Sequence, residues 1–307
     1  MGAIRKGLIV GALAGTCLAL PALAEVAQMT GLFPAQYREA AMLHSLSVDR
    51  LGGRDGQAVG MAIERALGGG YFELVYDGRR GNGRAEGMLS GAVSSGVEDS
   101  YYKQKDKRCV ERDANKKCTK EEEVQINCTR RVANLTADLR IVRSDDGRIV
   151  YSSNKPSRQE ITWCQGQSPA RTGEDMINSM IGEVANAVAY EITPHRETYR
   201  IRFRESTKDL PKDMTRGFKD TVKLSQRDLR AACAAWGQMN QRAPNHPSIV
   251  FDLGLCAEAA GDLQGALALY QQAVGLLGQR SEAGEGVSRV QRRMTADADA
   301  ARRNRRS

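Results

Sequence analysis

The sequence predicts an α+β domain, a mixed sheet with helices packed on it, followed by an all-α helical region. Runs of alternating apolar residues crowd between residues 88 and 164 with no helical segment among them, which implies antiparallel pairing. Two amphipathic stretches at helical spacing bracket those runs. In the last third, small and aromatic residues recur at a period of 34.

The elements follow in order. Between Ala41 and Val48, His44, Leu46 and Val48 alternate as in a half-buried strand, which Gly52, Gly53 and Gly56 end. From Asp55, the residues Val59, Ile63, Ala66 and Leu67 share one helical face, and Gly68, Gly69 and Gly70 stop the helix. Tyr71 to Tyr76 reads as a second strand. Four glycines and four charged residues between Gly78 and Gly87 predict a mobile loop, and no Gly-x-Gly-x-x-Gly leads from a strand into a helix there. Six short strand-like runs come next: 88–93, 100–105, 124–128, 133–142, 149–152 and 160–164. A long helix over Asp175–Ile192 carries Met176, Ile177, Met180, Ile181, Val184 and Val188 inward, and Tyr199-x-Ile201-x-Phe203 closes the domain.

Composition bounds the setting. Residues 1–24 have the three parts of a secretory signal: basic Arg5 and Lys6, an apolar run from Leu8 to Leu20, and the small-residue end Ala22-Leu23-Ala24. Cleavage is expected before Glu25. Attachment of a lipid at Cys17 is the lesser alternative, because Thr16 is a poor neighbour for that reaction. No later stretch has the roughly 20 apolar residues a spanning helix needs, so the mature chain is expected to be exported, periplasmic or outer-membrane-associated, with at most peripheral membrane contact. Much of the formal charge of +8 sits in Arg289, Arg292, Arg293, Arg302, Arg303, Arg305 and Arg306. This is a basic tail without interleaved aromatic residues, and nucleic acid is not an expected partner.

Apart from Cys17, six cysteines remain, an even number that favours disulfides in an exported chain. None forms a Cys-x-x-Cys pair and the three histidines, His44, His195 and His246, are scattered, so no metal and no cofactor is expected. The Asp-Gly turn at Ser144–Gly147 puts Cys128 and Cys164 at equal distances, 18 residues, from Asp146, and so across from one another in a hairpin. Cys109 and Cys118 flank a polar loop and would staple its tip. Cys233 and Cys256 fall on successive helices.

Those helices carry a pattern that resembles the tetratricopeptide repeat. From Pro247, Leu253-Gly254, Ala266, Tyr270 and Ala273 fall at its characteristic positions, and 34 residues earlier stand Ala232, Trp236 and Pro244. The earlier unit departs from it at Lys219-Asp220, and Ala257 replaces an aromatic residue. At one and a half to two repeats the array needs further burial, from the α/β domain, from a helix suggested by Val287, Val290 and Met294, or from a second chain.

The first domain is similar to the envelope group that includes the curli-secretion lipoprotein CsgG and the penicillin-binding-protein activator lipoproteins. Leu46 to Gly53, the helix through Ile63–Leu67, Tyr71 to Val75, Gly87-x-Leu89-x-Gly91-x-Val93 and Leu135 to Val150 carry the resemblance. It implies an exported, non-catalytic protein that assembles with others. Departures are the weak lipid-anchor cysteine and a hairpin around 109–123 too charged to cross lipid.

The expected organisation is a signal at 1–24, an α/β domain at 25–205, repeat-like helices at 206–280 and a basic helical or disordered tail at 281–307. The expected function is protein interaction or assembly in a bacterial envelope, with a homo-oligomeric secretion or surface-assembly subunit as the alternative. An enzyme is disfavoured by the lack of a nucleophile elbow or His-Glu-x-x-His. Phe251, Asp252, Leu255 and Glu258, on the first helix of the second repeat, are the candidate partner-binding face.

Overall fold

A computed structural model describes residues 25–76 and 85–305. The expected signal segment with Cys17, most of the glycine-rich loop, and Arg306 lie outside those residues. Two compact units divide the described chain: residues 29–199 with 284–305 form an α/β unit, and residues 25–28 with 200–283 a helical unit.

In the α/β unit a five-stranded mixed sheet runs in the order β3-β2-β4-β5-β6. Its strands are β2 (Ser45–Val48), β3 (Glu73–Leu74), β4 (Gly87–Arg112), β5 (Cys118–Arg143) and β6 (Ile149–Cys164). β2 runs parallel to both β3 and β4, whereas β4, β5 and β6 are antiparallel. The six runs read from the sequence are therefore three long strands. Their alternation fades outside the core because residues there have no buried face to select apolar side chains.

The remaining differences are local. A short helix, α1 (Arg38–Ala41), occupies the start of the first expected strand, and the strand at Tyr71–Tyr76 shrinks to the two residues of β3. A strand that the sequence reading missed, β1 (Val26–Phe33), pairs with β7 (His195–Arg202) in a separate two-stranded sheet.

Helices α2 (Gly56–Leu67) and α3 (Gly173–Ile192) bury one face of the sheet. Val59, Ile63 and Leu67 recur every four residues on α2, while Met176, Met180, Val184 and Val188 do the same on α3, and all seven are buried. Thr172 starts α3 with a reciprocal cap: its hydroxyl accepts from Asp175 N–H and the Asp175 carboxylate accepts from Thr172 N–H, both at 3.0 Å. Leu46, Leu89, Leu135, Leu139 and Ile141 supply the sheet side of this core. Gly91 is required where β4 and β5 approach, since a Cβ there would lie 2.0 Å from the Asp138 carbonyl oxygen. The opposite sheet face is polar, with Arg140 bonded to Ser90 at 3.3 Å and Asn154 bonded to Asp138.

The basic tail is a helix, α8 (Glu282–Asn304), and from Gly284 it belongs to the α/β unit. Three of its arginines lie over aromatic rings there. Arg292 lies over the Phe33 ring at 4.8 Å, Arg289 over Tyr199 at 5.3 Å, and Arg303 over Tyr71 at 4.1 Å while donating to the Leu43 carbonyl. Arg38 makes a bidentate pair with Asp299 at 2.6 and 2.7 Å. The basic tail is thus a packed helix, because the rings of Phe33, Tyr71 and Tyr199 offer faces to its guanidinium groups.

The helical unit holds α4 (Lys212–Leu224), α5 (Leu229–Arg242), α6 (Pro247–Ala259) and α7 (Leu263–Leu277), each packed on the next. Asp228 and Asp262 cap α5 and α7, and Pro247 opens α6 at the position where a missing N–H costs nothing. Ala232, Trp236, Ala266, Tyr270 and Ala273 are all fully buried. Gly254 admits the Tyr270 ring so closely that a Cβ would stand 2.7 Å from it.

Candidate functional site

The longest feature that contributes little to a core is the β4–β5 hairpin. Strand β6 ends with Cys164 opposite Cys128, which itself faces Tyr102 on β4. From there β4 and β5 continue alone to Arg112 and Cys118. Ten residues beyond Tyr102, at ~3.3 Å each, carry the tip roughly 33 Å past the end of β6.

A two-stranded ribbon in water is marginal by itself. Disulfides hold this one at both ends, Cys128–Cys164 at the base and Cys109–Cys118 near the tip. Cys233–Cys256 ties α5 to α6 in the other unit, so the three bridges are the pairs that the turn and the helix neighbours predict. Covalent closure of loops removes freedom from the unfolded chain and is most useful where little apolar area is buried.

The two faces of the ribbon differ. On one, Lys103, Lys105 and Lys107 of β4 stand opposite Asn127, Gln125 and Glu123 of β5, with Lys105 Nζ 3.1 Å from Glu123 Oε2. On the other, Tyr102, Val124, Ile126 and Cys128 form a short apolar strip in which Ile126 and Cys128 are buried. At the apex, the Asp113 carboxylate accepts from the N–H groups of Asn115 and Lys117, both at 2.9 Å, and Lys116 takes a left-handed conformation at φ 62°. At the base, Arg131 grips Asp99 through two 2.7 Å bonds and lies 5.1 Å over the Trp163 ring. The hydrogen bond from Arg131 holds the Asp99 carboxyl below the usual carboxylate range. Arg130 and then Arg158 do the same to Glu160.

Among the described residues, β4 beyond Ala92 has no strand on its outer side, and β5 has none from Cys118 to Asn127. Unpaired strand edges are templates for further pairing. The edge strand β6 carries Lys155, Pro156 and Arg158 midway along its length, residues that discourage such pairing.

The candidate partner-binding residues on α6 are elsewhere and inaccessible. Phe251, Asp252 and Leu255 are 0% exposed and Glu258 is 1% exposed, which corrects the expectation of an open face. Asp252 Oδ1 accepts from Arg204 N–H at 2.8 Å, Glu258 Oε2 accepts from the Tyr270 hydroxyl at 2.7 Å, and Ser248 donates to the Ser206 carbonyl at 2.7 Å. The reason is that the segment after β7 lies along the face that repeat spacing leaves open. Burial raises the Asp252 carboxyl well above its ordinary range, and the Arg204 N–H and charge only partly oppose it.

A cleft of about 490 Å³ in the α/β unit is lined by Glu39, His44, Glu86, Arg143 and Asp145. Its charged side chains are partnered internally: Arg143 with Asp145 and Asp146, Glu39 with Arg148, and Glu86 with the His44 backbone N–H at 2.7 Å. Among the described residues, no three His, Cys, Asp or Glu side chains converge as a metal site and no helix is long and apolar enough to cross a membrane.

Fold and site together define a disulfide-bonded mixed α/β protein, with a stapled projecting hairpin and a helical unit inserted before its last helix. Its three bridges are those of a chain that matures in an oxidising, exported setting. No protein-family model matches the chain, and no curated protein matches it. Solved structures similar to it include a candidate lipoprotein from Caulobacter crescentus CB15, at 13% identity and a TM-score of 0.27, which covers 52% of this chain and 93% of that one. A PelC dodecamer from Paraburkholderia phytofirmans is similar at 16% identity and a TM-score of 0.26, over 54% of this chain and 98% of the other. A candidate neuraminyllactose-binding hemagglutinin homologue from Helicobacter pylori is similar at 10% identity and a TM-score of 0.30, over 58% and 90%. At such values they assign neither family nor activity.

Proposed function

We propose that this chain is a non-catalytic protein of a bacterial envelope that works by binding and assembling other proteins, with the α/β unit as platform and the β4–β5 ribbon as contact arm. One observation carries this reading: the last ten residues of β4 and the first ten of β5 extend past β6, bury little, and are bounded by a disulfide at the base and another near the tip. Ordered structure that adds little to a core costs conformational entropy, and contact with something else is what offsets that cost. The helical unit, in which the Tyr270 ring packs on Gly254, then serves as support, since its candidate docking residues are buried.

A photo-crosslinking residue at Tyr101, 79% exposed at the base of the ribbon, tests this in intact cells. Adducts to a different protein from position 101, and none from the distant exposed Tyr190, are the expected result. No adduct from several ribbon positions would remove the contact-arm reading.

The alternative, a ring-forming subunit, is favoured by the unpaired outer edges of β4 and β5, which lie on opposite sides of one strand pair and suit head-to-tail self-pairing. Crosslinks only to a second copy, with a closed oligomer in native mass measurement, are its signature.

A further inference from the structure

From the outer edge of β4, below the ribbon, we infer a groove that takes an extended segment of another protein as an added strand. This goes beyond the contact-arm reading and does not depend on it, because the edge lies where β4 is still backed by β5 and β6. The Gly52 N–H donates to the Gly91 carbonyl at 3.0 Å and the Val93 N–H donates to the Gly52 carbonyl at 2.8 Å. Odd-numbered residues of β4 therefore turn their main-chain groups away from β5. Ser95, Val97, Asp99 and Tyr101 carry the next groups in that row, and among the described residues no strand takes them. Donors and acceptors alternating along a straight edge select an extended polypeptide as the occupant.

The space beside this edge is already shaped. A cleft of about 440 Å³ is lined by Ser95 and Val97 of the edge, by Arg54 and Asp55 before α2, and by Ile177 and Asn178 of α3. Its walls are fixed. The Ser95 hydroxyl donates to the Asp55 carboxylate, and α3 begins against Val97, where a Cβ on Gly173 would come within 3.0 Å of Val97 Cγ1. A preformed groove spares an incoming strand the cost of ordering its site.

Other edges of the same sheet are defended. β3 is two residues long, β6 carries Lys155, Pro156 and Arg158, and β5 past the end of β6 has four consecutive charges, Lys120 to Glu123. From Ser94 to Tyr102, β4 has neither proline nor a cation, and its Asp99 is held by Arg131. Val97 and Tyr101 stand exposed on the helix side of this stretch, while Ser94, Gly96 and Ser100 lie on the other side. The strand that fits alternates apolar residues with small polar ones.

The test is fluorescence anisotropy of a labelled peptide of alternating valine and threonine, with a lysine at each end, titrated with the purified full chain. Val97→Pro removes one outward N–H and leaves the bonds to β5 in place, a position at which edge strands accept proline. It is expected to weaken binding by about tenfold. Val97→Thr keeps the N–H and is expected to bind like the parent. The unaltered chain supplies a second measurement, free of any folding defect: with the peptide N-methylated on its valines in one sample and on its threonines in another, one sample is expected to lose binding and the other to keep it. No binding by the parent chain, equal binding by Val97→Pro and Val97→Thr, or the same response to both methylated peptides overturns the inference. So does a dimer of the chain that Val97→Pro dissolves in native mass measurement, which would make the occupant a second copy.

Discussion

The carboxyl of Asp252 stands fully buried in the helical unit, with one oxygen bonded to the Arg204 N–H and the other, Oδ2, without a partner. Arg204 is the cation nearest in charge, but its Nη1 is held by Glu282, and Glu205 and Glu282 add negative potential. Desolvation therefore dominates and the neutral form is favoured. An unfolded aspartate ionises near pH ~3.9. Below that value both states bind the proton and the group is neutral to stability. Above it the unfolded state gains by ionising while the folded state cannot, so stability falls by about 1.4 kcal/mol per pH unit until the raised folded value is reached. Asp252→Asn keeps the acceptor for Arg204 N–H and removes the titration. The stability difference, variant minus parent, is expected to grow by about 1.4 kcal/mol between roughly pH 4.5 and 5.5. That corresponds to about 3–5 °C in Tm. Thermal unfolding followed by tryptophan emission measures it, because Trp236 is buried in the same unit, and other carboxylates cancel in the difference. A gap that does not change with pH would refute the assignment of a neutral buried acid.

Removing a bridge tests where the ribbon draws its rigidity. Cys128→Ser with Cys164→Ser opens a separation of 36 residues and is expected to cost about 3.8 kcal/mol, with Cys109→Ser and Cys118→Ser, separated by 9, costing about 2.6 kcal/mol. Amide exchange should show the second loss confined to the tip and the first spreading into β5; the reverse order would mean the tip is coupled to the core. Gly254→Ala should destabilise the helical unit by about 1–3 kcal/mol, since its new Cβ meets the Tyr270 ring. Gly237→Ala, with open space around it, should instead stabilise by up to about 1 kcal/mol. Equal effects at the two glycines, read from denaturant midpoints, would count against the close packing of α6 on α7.

Much of the fold was legible because burial writes periodicity into sequence. Val59, Ile63 and Leu67 announce α2, Met176 to Val188 announce α3, and the Asp-Gly turn at 146–147 sets the register that puts Cys128 across from Cys164. β1 was hidden because Ala27, Met29, Gly31 and Phe33 alternate weakly, with two small residues among the four inward positions. The ribbon appeared only as broken fragments. Its Lys103, Lys105 and Lys107 do alternate, but a charged period of two is easily taken for a solvated loop. The face of α6 was misjudged for a different reason: repeat spacing tells which side packs on the next helix and says nothing of a chain segment lying along the other. Asp252 and Glu258 are buried by the residues after β7 and by Tyr270, partners 48 and 12 positions away that no local pattern connects to them.

The placement of α8 also sets the order in which the molecule can be finished. The rings of Phe33, Tyr71 and Tyr199 receive guanidinium groups from positions 289 to 303, and Arg38 waits for Asp299. A chain threaded outward from its N-terminus would have its sheet and both sheet-covering helices available while these contacts were still missing, with the whole helical unit yet to emerge. Domains that close only when their last segment arrives forgo vectorial folding. Until residue 303 is delivered, the α/β unit would present the rings of Phe33, Tyr71 and Tyr199 without the guanidinium groups that cover them.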